Sequence, residues 1–123
     1  MIKLICIVKR LPELSYDEFL EHWVNNHARL IKKHANVLSI EKYVQSHAVR
    51  SNRAQSDITS LRNMTDVEFD GVAELWYPSM ESHLSRKNSP EGTLALAEII
   101  TDEKRFVDLS QSRMWYSNEV TVI

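Results

Sequence analysis

The chain has 123 residues and a formal net charge of −2, with 43% hydrophobic and 26% charged residues. These values suit one soluble domain with a hydrophobic core. The near-neutral charge gives no general electrostatic reason to bind nucleic acid or anionic lipid, and no apolar run is long enough to cross a bilayer. The single cysteine, Cys6, cannot form an intramolecular disulfide, so a cytoplasmic location is expected.

The first predicted element is a β-strand over residues 2–9, IKLICIVK. Leu4, Cys6 and Val8 point to one face of the strand, while Ile5 and Ile7 point to the other. Because a solvated antiparallel sheet shows one polar face, this strand is expected to be covered on both sides.

The longest predicted helix covers residues 15–34, with Ser15 and Glu18 forming a capping box. At ~100° per residue, one stripe covers about a third of the helix circumference. Its members are Tyr16, Phe19, Leu20, Trp23, His27, Leu30, Ile31 and His34. An ionisable ring, that of His27, therefore lies near the centre of a buried face.

The other histidines are expected to be solvated. On an ideal α-helix, His22 falls on the side opposite His27, and a separation of five residues splays the two rings apart. They are therefore not predicted to form a metal pair, and no metal site is expected. The remaining histidines placed in solvent are His34, His47 and His83, with His47 at the rim of the predicted pocket.

Strands and helices alternate along the rest of the chain. A second strand is predicted over residues 37–45, a third over 69–77 and a fourth over 112–122. Residues 46–68 are polar and irregular and are predicted to be a variable loop, either a mobile excursion or a loop with a short helix around 56–62. Ser79 is expected to cap a helix ending at Lys87, and Ser89 and Pro90 to begin a further turn or helix.

Within that last helix, Leu94, Ala97 and Ile100 form the predicted apolar edge. A connector over residues 101–111 follows, whose Phe106, Val107 and Leu109 are expected to point inward.

This order predicts an α+β fold of the ferredoxin-like βαββαβ type, with residues 1–123 as one domain. Right-handed crossovers place both helical regions on one face of a four-stranded antiparallel sheet. The other face is bare, and the apolar residues on it favour cover by a second copy of the chain in a two-fold dimer.

Six segments give the chain a resemblance to a known family. They are IKLICIVKR, LSYDEFLEHWVNNHARLIKKH, KYVQSH, FDGVAELWYPSMES, SPEG and RFVDLSQSRMW. Together they resemble the EthD-like proteins of the dimeric α/β-barrel superfamily, except over roughly residues 48–67. The resemblance implies a homodimer that forms a shared barrel, with a pocket in each subunit between sheet and helices.

The resemblance also implies candidate chemistry. The superfamily includes muconolactone-type isomerases, polyketide cyclases and decarboxylases, dehydratases and cofactor-free oxygenases, and EthD itself is linked to ether degradation alongside a cytochrome P450 system. The family's helix histidine corresponds to His27, in a W-x-x-x-H pattern with Trp23, and its later tryptophan corresponds to Trp76.

The candidate catalytic residues are His27, Tyr43 and Glu74, since a pocket imidazole beside a carboxylate or phenol suits acid–base chemistry. The candidate substrate-binding residues are Trp23, Asp70, Trp76, Trp115 and Arg113. Each has a structural alternative. His27 could be a core histidine, Asp70 could only shape the strand entry, Glu74 could meet a lysine across the sheet, and an Arg113–Glu74 pair is favoured over anion binding.

The predicted function is that of a cofactor-independent lyase or isomerase acting on a small hydrophobic carbonyl, lactone or polyketide-like aromatic compound. The decarboxylase, cyclase and dehydratase types stay open. The alternatives are a non-catalytic binding or accessory protein of a degradation pathway, and a cofactor-free monooxygenase.

Overall fold

Strands and helices alternate in the computed structural model, which describes residues 1–50 and 52–123. The strands are β1 (Ile2–Val8), β2 (Lys42–His47), β3 (Gly71–Tyr77) and β4 (Arg113–Asn118). The helices are α1 (Tyr16–Glu21), α2 (Ala28–Leu38), α3 (Arg53–Ser60), α4 (Met80–Lys87) and α5 (Pro90–Glu103). A π-helical segment, His22–His27, joins α1 to α2, and a short 3₁₀ helix, Leu109–Gln111, precedes β4.

The four strands form one antiparallel sheet in the order β2-β3-β1-β4. This order and the placement of the helices confirm the predicted α+β, ferredoxin-like fold. Strand β1 is central and pairs with both β3 and β4, so Cys6 lies opposite Ala73 on one side and Met114 on the other.

The core lies between the helices and one sheet face. Phe19, Trp23 and Phe106 are the large, fully buried side chains at its centre, and Phe19 packs against both other rings, with centroids 5.2 and 5.6 Å away. Trp23 reaches the sheet because Gly71 has no side chain there. A Cβ at Gly71 would lie 2.7 Å from the Trp23 ring.

The long helix begins as predicted but ends later. Ser15 and Glu18 form the expected capping box. The helix ends at Leu38 rather than at residue 34, and β2 begins at Lys42 rather than at residue 37. Val37 and Leu38 therefore extend the buried helical face, and Ser39 ends the helix in the left-handed region at φ 59°.

Other element boundaries also differ from the sequence-based expectation. The short helix α3 occupies Arg53–Ser60 and is capped by Asn52, whereas β4 stops at Asn118. Helix α5 continues to Glu103, through the start of the predicted connector. Phe106 and Val107 point inward as predicted, but Leu109 is 41% exposed.

The predicted apolar edge of α5 is wrong. The helix buries Gly92, Ala95, Ile99 and Asp102, and Leu94 is 75% exposed. Its sequence, LALAEII, is apolar on several sides, so periodicity alone did not identify the buried stripe.

The second sheet face is the one opposite the face on which Phe19 and Trp23 pack. Ile5, Ile7 and Val72 contribute apolar surface there, on the side opposite the core residues of β1 and β3. None of the helices in the two described ranges is long and apolar enough to span a membrane.

Asp70 fastens the loops at one end of the sheet. Its carboxylate is fully buried and accepts hydrogen bonds from the backbone N–H of Arg10, at 2.8 Å, and from the guanidinium groups of Arg10 and Arg50. The Arg50 guanidinium in turn lies over the Tyr16 ring, 4.7 Å from its centroid. This arrangement matches the structural alternative for Asp70, which shapes the entry to β3.

Replacing Asp70 is therefore expected to destabilise the fold. Asp70→Ala leaves a buried N–H unpaired and two cations without their anion, and should lower the free energy of unfolding by about 3 kcal/mol. Urea denaturation measures this value. The control Asp57→Asn, at an exposed position of α3, should stay within about 0.5 kcal/mol of wild type. If Asp70→Ala also stayed within about 0.5 kcal/mol of the wild-type unfolding free energy, the structural role of Asp70 would be contradicted.

Candidate functional site

A cavity of about 490 Å³ lies between the helices and the core face of the sheet. Its walls are mainly apolar, with Trp23, Leu75 and Phe106 among them. A few polar side chains interrupt this lining, namely His27, Tyr43, His83, Lys87, Glu103, Ser112, Arg113 and Tyr116. An apolar cavity of this size with few polar groups is typical of small-molecule sites.

His27 lines this cavity and is held by a carboxylate. Its Nδ1 lies 2.8 Å from Oδ2 of Asp102, and the two residues are 5% and 3% exposed. Asp102 comes from α5, 75 positions further along the chain. The predicted inward-facing imidazole therefore has a hollow beside it, and a buried partner that the sequence did not reveal.

The π-helical segment brings a second histidine to the same carboxylate. Nε2 of His22 lies 2.9 Å from Oδ1 of Asp102, so the expectation that His22 is solvated on the opposite side of the helix is wrong. The helix widens between these residues, as the bond from the Ala28 N–H to the Trp23 carbonyl shows. An i→i+5 turn holds more residues than an α-helical turn, so residues five apart point closer to the same side, and both rings reach Asp102.

The site favours a neutral His27 beside an ionised Asp102. Burial lowers the pKa of His27 below its usual 6.5, and this outweighs the hydrogen bond and charge of Asp102, which act to raise it. For Asp102, burial acts to raise the pKa, but the hydrogen bonds from His27, His22 and Arg105 prevail and lower it below 3.8. Charge-assisted hydrogen bonds account for this balance.

This ionisation state determines which nitrogen of His27 can react. An ionised Asp102 accepts the hydrogen bond, so the proton of neutral His27 is on Nδ1. Nε2 then carries a lone pair and has no hydrogen-bond partner within residues 1–50 and 52–123. The ring is thereby prepared to accept a proton from a molecule in the cavity.

Two other predicted site residues also line the cavity. Trp23 forms part of the wall beside His27, and Tyr43 presents its ring from β2. Burial raises the pKa of Tyr43 to about 12, so its hydroxyl stays protonated near neutral pH. That hydroxyl accepts a hydrogen bond from Nε2 of Gln45 at 3.0 Å, which leaves its own proton available for a ligand.

The remaining predicted residues are not gathered around His27. Glu74 and Trp76 belong to the second sheet face, where Glu74 pairs with Lys3 at 2.8 Å rather than with Arg113. Trp115 lies on that face too, 45% exposed. Arg113 lies opposite Ile7 and so belongs to that face as well. It borders the cavity at the edge strand β4, and its guanidinium donates to the Ser112 carbonyl at 2.9 Å.

Besides Asp102, two cavity residues, His83 and Glu103, were missed from the sequence. His83 was expected in solvent but is 5% exposed. It packs 3.9 Å from the Tyr77 ring centroid and lies with Nε2 2.8 Å from the Tyr116 hydroxyl. Glu103 was assigned to the connector. One available signal was that Asp102, a charged residue, continues the buried spacing Gly92, Ala95, Ile99 of α5.

The fold and the site together define a ferredoxin-like α+β domain with an interior cavity and a buried histidine–carboxylate pair. A family model described as the EthD domain matches residues 11–110. The chain therefore belongs to the EthD family, which confirms the resemblance noted from the sequence. No curated protein matches it.

Solved structures with the same fold include members of this family. An ethyl tert-butyl ether D (EthD) family protein from Bacillus halodurans is 22% identical, with a TM-score of 0.65 over 98% of this chain and 99% of its own. An EthD-like protein from Ralstonia eutropha is 14% identical, with a TM-score of 0.65 over 99% and 94%. A dimeric ferredoxin-like protein from Thermobifida fusca is 10% identical, with a TM-score of 0.56 over 96% and 90%.

The lowered pKa of His27 predicts a pH-dependent stability. Below pH 6.5 the unfolded chain binds a proton at this residue more readily than the folded chain does, so folding becomes less favourable as the pH falls through that window. When the pH is lowered from about 7.5 to about 5, the free energy of unfolding should therefore fall less in His27→Gln than in wild type. Urea denaturation at one protein concentration measures this difference.

The control for this measurement is His34→Gln. His34 lies on the same helical face, but its ring bonds Glu98 near the surface. Because His34→Gln still contains His27, it should keep the part of the stability loss at acid pH that His27 causes. An identical loss in wild type and His27→Gln would show that His27 is not held neutral.

Proposed function

We propose that the protein is a homodimeric, cofactor-independent lyase or isomerase that performs acid–base chemistry on a small hydrophobic carbonyl, lactone or polyketide-like aromatic compound. One observation carries the proposal. His27 lines an apolar cavity while its Nδ1 lies 2.8 Å from a buried carboxylate. This arrangement orients an imidazole and sets its tautomer, as a general base requires.

In the proposed reaction, Nε2 of His27 removes a proton from carbon next to the substrate carbonyl. The electron pair of that C–H bond moves into the enol system, and the ring becomes an imidazolium. Asp102 stabilises this cation through its hydrogen bond at 2.8 Å, and returning the proton to another atom completes an isomerisation. The Tyr43 hydroxyl can donate a hydrogen bond to an oxygen of the ligand.

The walls of the cavity support the proposed substrate class. Aromatic and aliphatic side chains make up most of the lining, including Trp23, Tyr77 and Phe106, and burial of apolar surface would provide most of the binding free energy. The volume, about 490 Å³, suits a molecule of one to three rings.

The second sheet face supports the proposed homodimer. It combines the apolar residues Ile5, Ile7 and Val72 with the Trp76 ring, which lies between the ammonium groups of Lys3 and Lys42 at 5.2 and 4.8 Å from its centroid. An uncovered apolar sheet face is costly in water. The Thermobifida fusca structure of this fold is described as dimeric.

Deuterium exchange tests the proposed chemistry with a simple ketone in place of the natural substrate. The protein should accelerate exchange of the α-hydrogens of an enolisable bicyclic ketone, 1-tetralone, in D₂O, as followed by proton NMR. His27→Gln should lower the enzymatic rate by about 10²-fold or more, because general-base catalysis is worth that much.

The matched control is again His34→Gln, which should exchange the ketone at the wild-type rate. Thermal melts and gel filtration of all three proteins verify fold and dimer. If His27→Gln is folded and exchanges the ketone at the wild-type rate, His27 has no part in the mechanism.

Two further assays, ligand binding and oxygen consumption, separate the other two function classes. Ketone, lactone and phenol binding without exchange or product would favour the binding or accessory protein. Oxygen consumption with a hydroquinone would favour the cofactor-free monooxygenase.

A further inference from the structure

The last residue of α5, Glu103, carries a carboxyl group that has no role in the chemistry proposed above. Its side chain is partly buried and lines the cavity that holds His27. In the described part of the chain its carboxyl oxygens have neither a hydrogen-bond donor nor a cationic partner, whereas the adjacent Asp102 has three donors. Unpaired carboxyl groups in apolar surroundings are rare, because burial of their charge is costly.

Glu103 lies on the cavity side of α5, across from the sheet. It lines the cavity together with Cys6 on β1 and Tyr43 on β2, which both belong to the core face of the sheet. Burial raises the pKa of the Cys6 thiol and of the Tyr43 hydroxyl, and the charge of Glu103 adds a smaller effect in the same direction.

The other titratable and charged residues that line this cavity are Cys6 on β1, His27 on the π-helical segment, Tyr43 on β2, Tyr77 on β3, His83 and Lys87 on α4, and Arg113 and Tyr116 on β4. Asp102 precedes Glu103 on α5 and bonds to the His27 ring. Burial, followed by the neighbouring charge of Asp102, raises the pKa of Glu103 to about 7. The acid form is thus well populated at neutral pH, while His27 in the same cavity is neutral.

We propose that Glu103 is the acid partner of His27: its protonated carboxyl group donates a hydrogen bond to the ligand's carbonyl oxygen and transfers that proton during turnover. This inference rests on the proposed function and deepens it. His27 Nε2 takes the α-proton, the C–H electron pair forms the C=C bond of the enol, and the carbonyl oxygen takes the Glu103 proton. The products are a neutral enol, an imidazolium and a carboxylate, so charge and protons balance.

This pairing narrows the substrate class. A neutral ketone or lactone can accept the Glu103 proton, whereas a ligand with a carboxylate at that position would place its charge against the Glu103 carboxyl group in apolar surroundings. Two titratable groups whose surroundings favour opposite protonation states are the arrangement that acid–base enzymes use to divide these roles.

Three measurements on Glu103→Gln test the proposal, with Glu98→Gln as control. Glu98 lies on the same helix, but its carboxylate is on the surface and bonds His34 and Lys33. Carbon-13 NMR of glutamate-labelled protein should show one carboxyl that titrates near pH 7 in wild type and in Glu98→Gln and that is missing in Glu103→Gln. If the signal that is missing in Glu103→Gln titrates in wild type with the usual glutamate pKa of ~4.3, the proposal is overturned.

The second measurement is the binding of 1-tetralone by titration calorimetry. Wild type and Glu98→Gln should bind the ketone several-fold more tightly at about pH 6 than at about pH 8.5, because the carboxyl donates a hydrogen bond only when protonated. Binding by Glu103→Gln should not depend on pH in this window, since its amide donates at either pH. Equal pH dependence in Glu103→Gln and wild type would overturn the proposal.

The third measurement is the α-hydrogen exchange of 1-tetralone. Glu103→Gln should exchange at least about tenfold more slowly at similar ketone affinity. If Glu103→Gln exchanges the ketone at the wild-type rate while His27→Gln is inactive, the role of Glu103 is overturned and that of His27 is kept. If the wild-type protein does not exchange the ketone, both the acid–base function and the proton transfer from Glu103 are overturned. The calorimetric titrations would still test the hydrogen bond from Glu103 to the ligand carbonyl.

Discussion

The candidate site depends on one carboxylate that two histidines share. Asp102 is 3% exposed, and a charge so deeply buried is tolerated only when its oxygens are hydrogen-bonded. His27 at 2.8 Å, His22 at 2.9 Å and Arg105 at 3.2 Å provide these bonds. In return, the carboxylate fixes the orientation of His27 at the cavity wall and ties the long helix to α5.

The helix that carries both histidines has the irregularity that this arrangement needs. A regular α-helix would direct His22 away from Asp102, whereas the π-helical turn places both rings on the side of α5. Segments of this type are less stable than regular helix and occur often at functional sites. The energetic cost of the wider turn is offset by the hydrogen bonds to Asp102 and by the packing of Phe106 against the His22 and His27 rings, 4.7 and 5.0 Å away.

Much of the architecture was predictable because it follows from local rules. The alternation of β1, the capping box at Ser15 and the helical stripe around His27 are local signals, and they led to the correct fold. The site was harder to predict because its partners come from distant positions. Asp102 lies 75 residues from His27, and α-helical periodicity misplaced His22 because the period itself changes at this turn. Glu74 illustrates the converse, since side-chain alternation alone could not tell which sheet face meets the cavity.

Burial keeps the His27 ring neutral, and the hydrogen bond to Asp102 holds its proton on Nδ1. Long-range proton–nitrogen correlation NMR of the ¹⁵N-labelled protein at neutral pH tests this protonation state directly, with His27→Gln to assign the ring. The arrangement in the structure predicts a neutral ring protonated on Nδ1, whose Nδ1–H resonance moves upfield in Asp102→Asn. A ring that is protonated on Nε2, or doubly protonated, or unaffected by Asp102→Asn, would contradict the account.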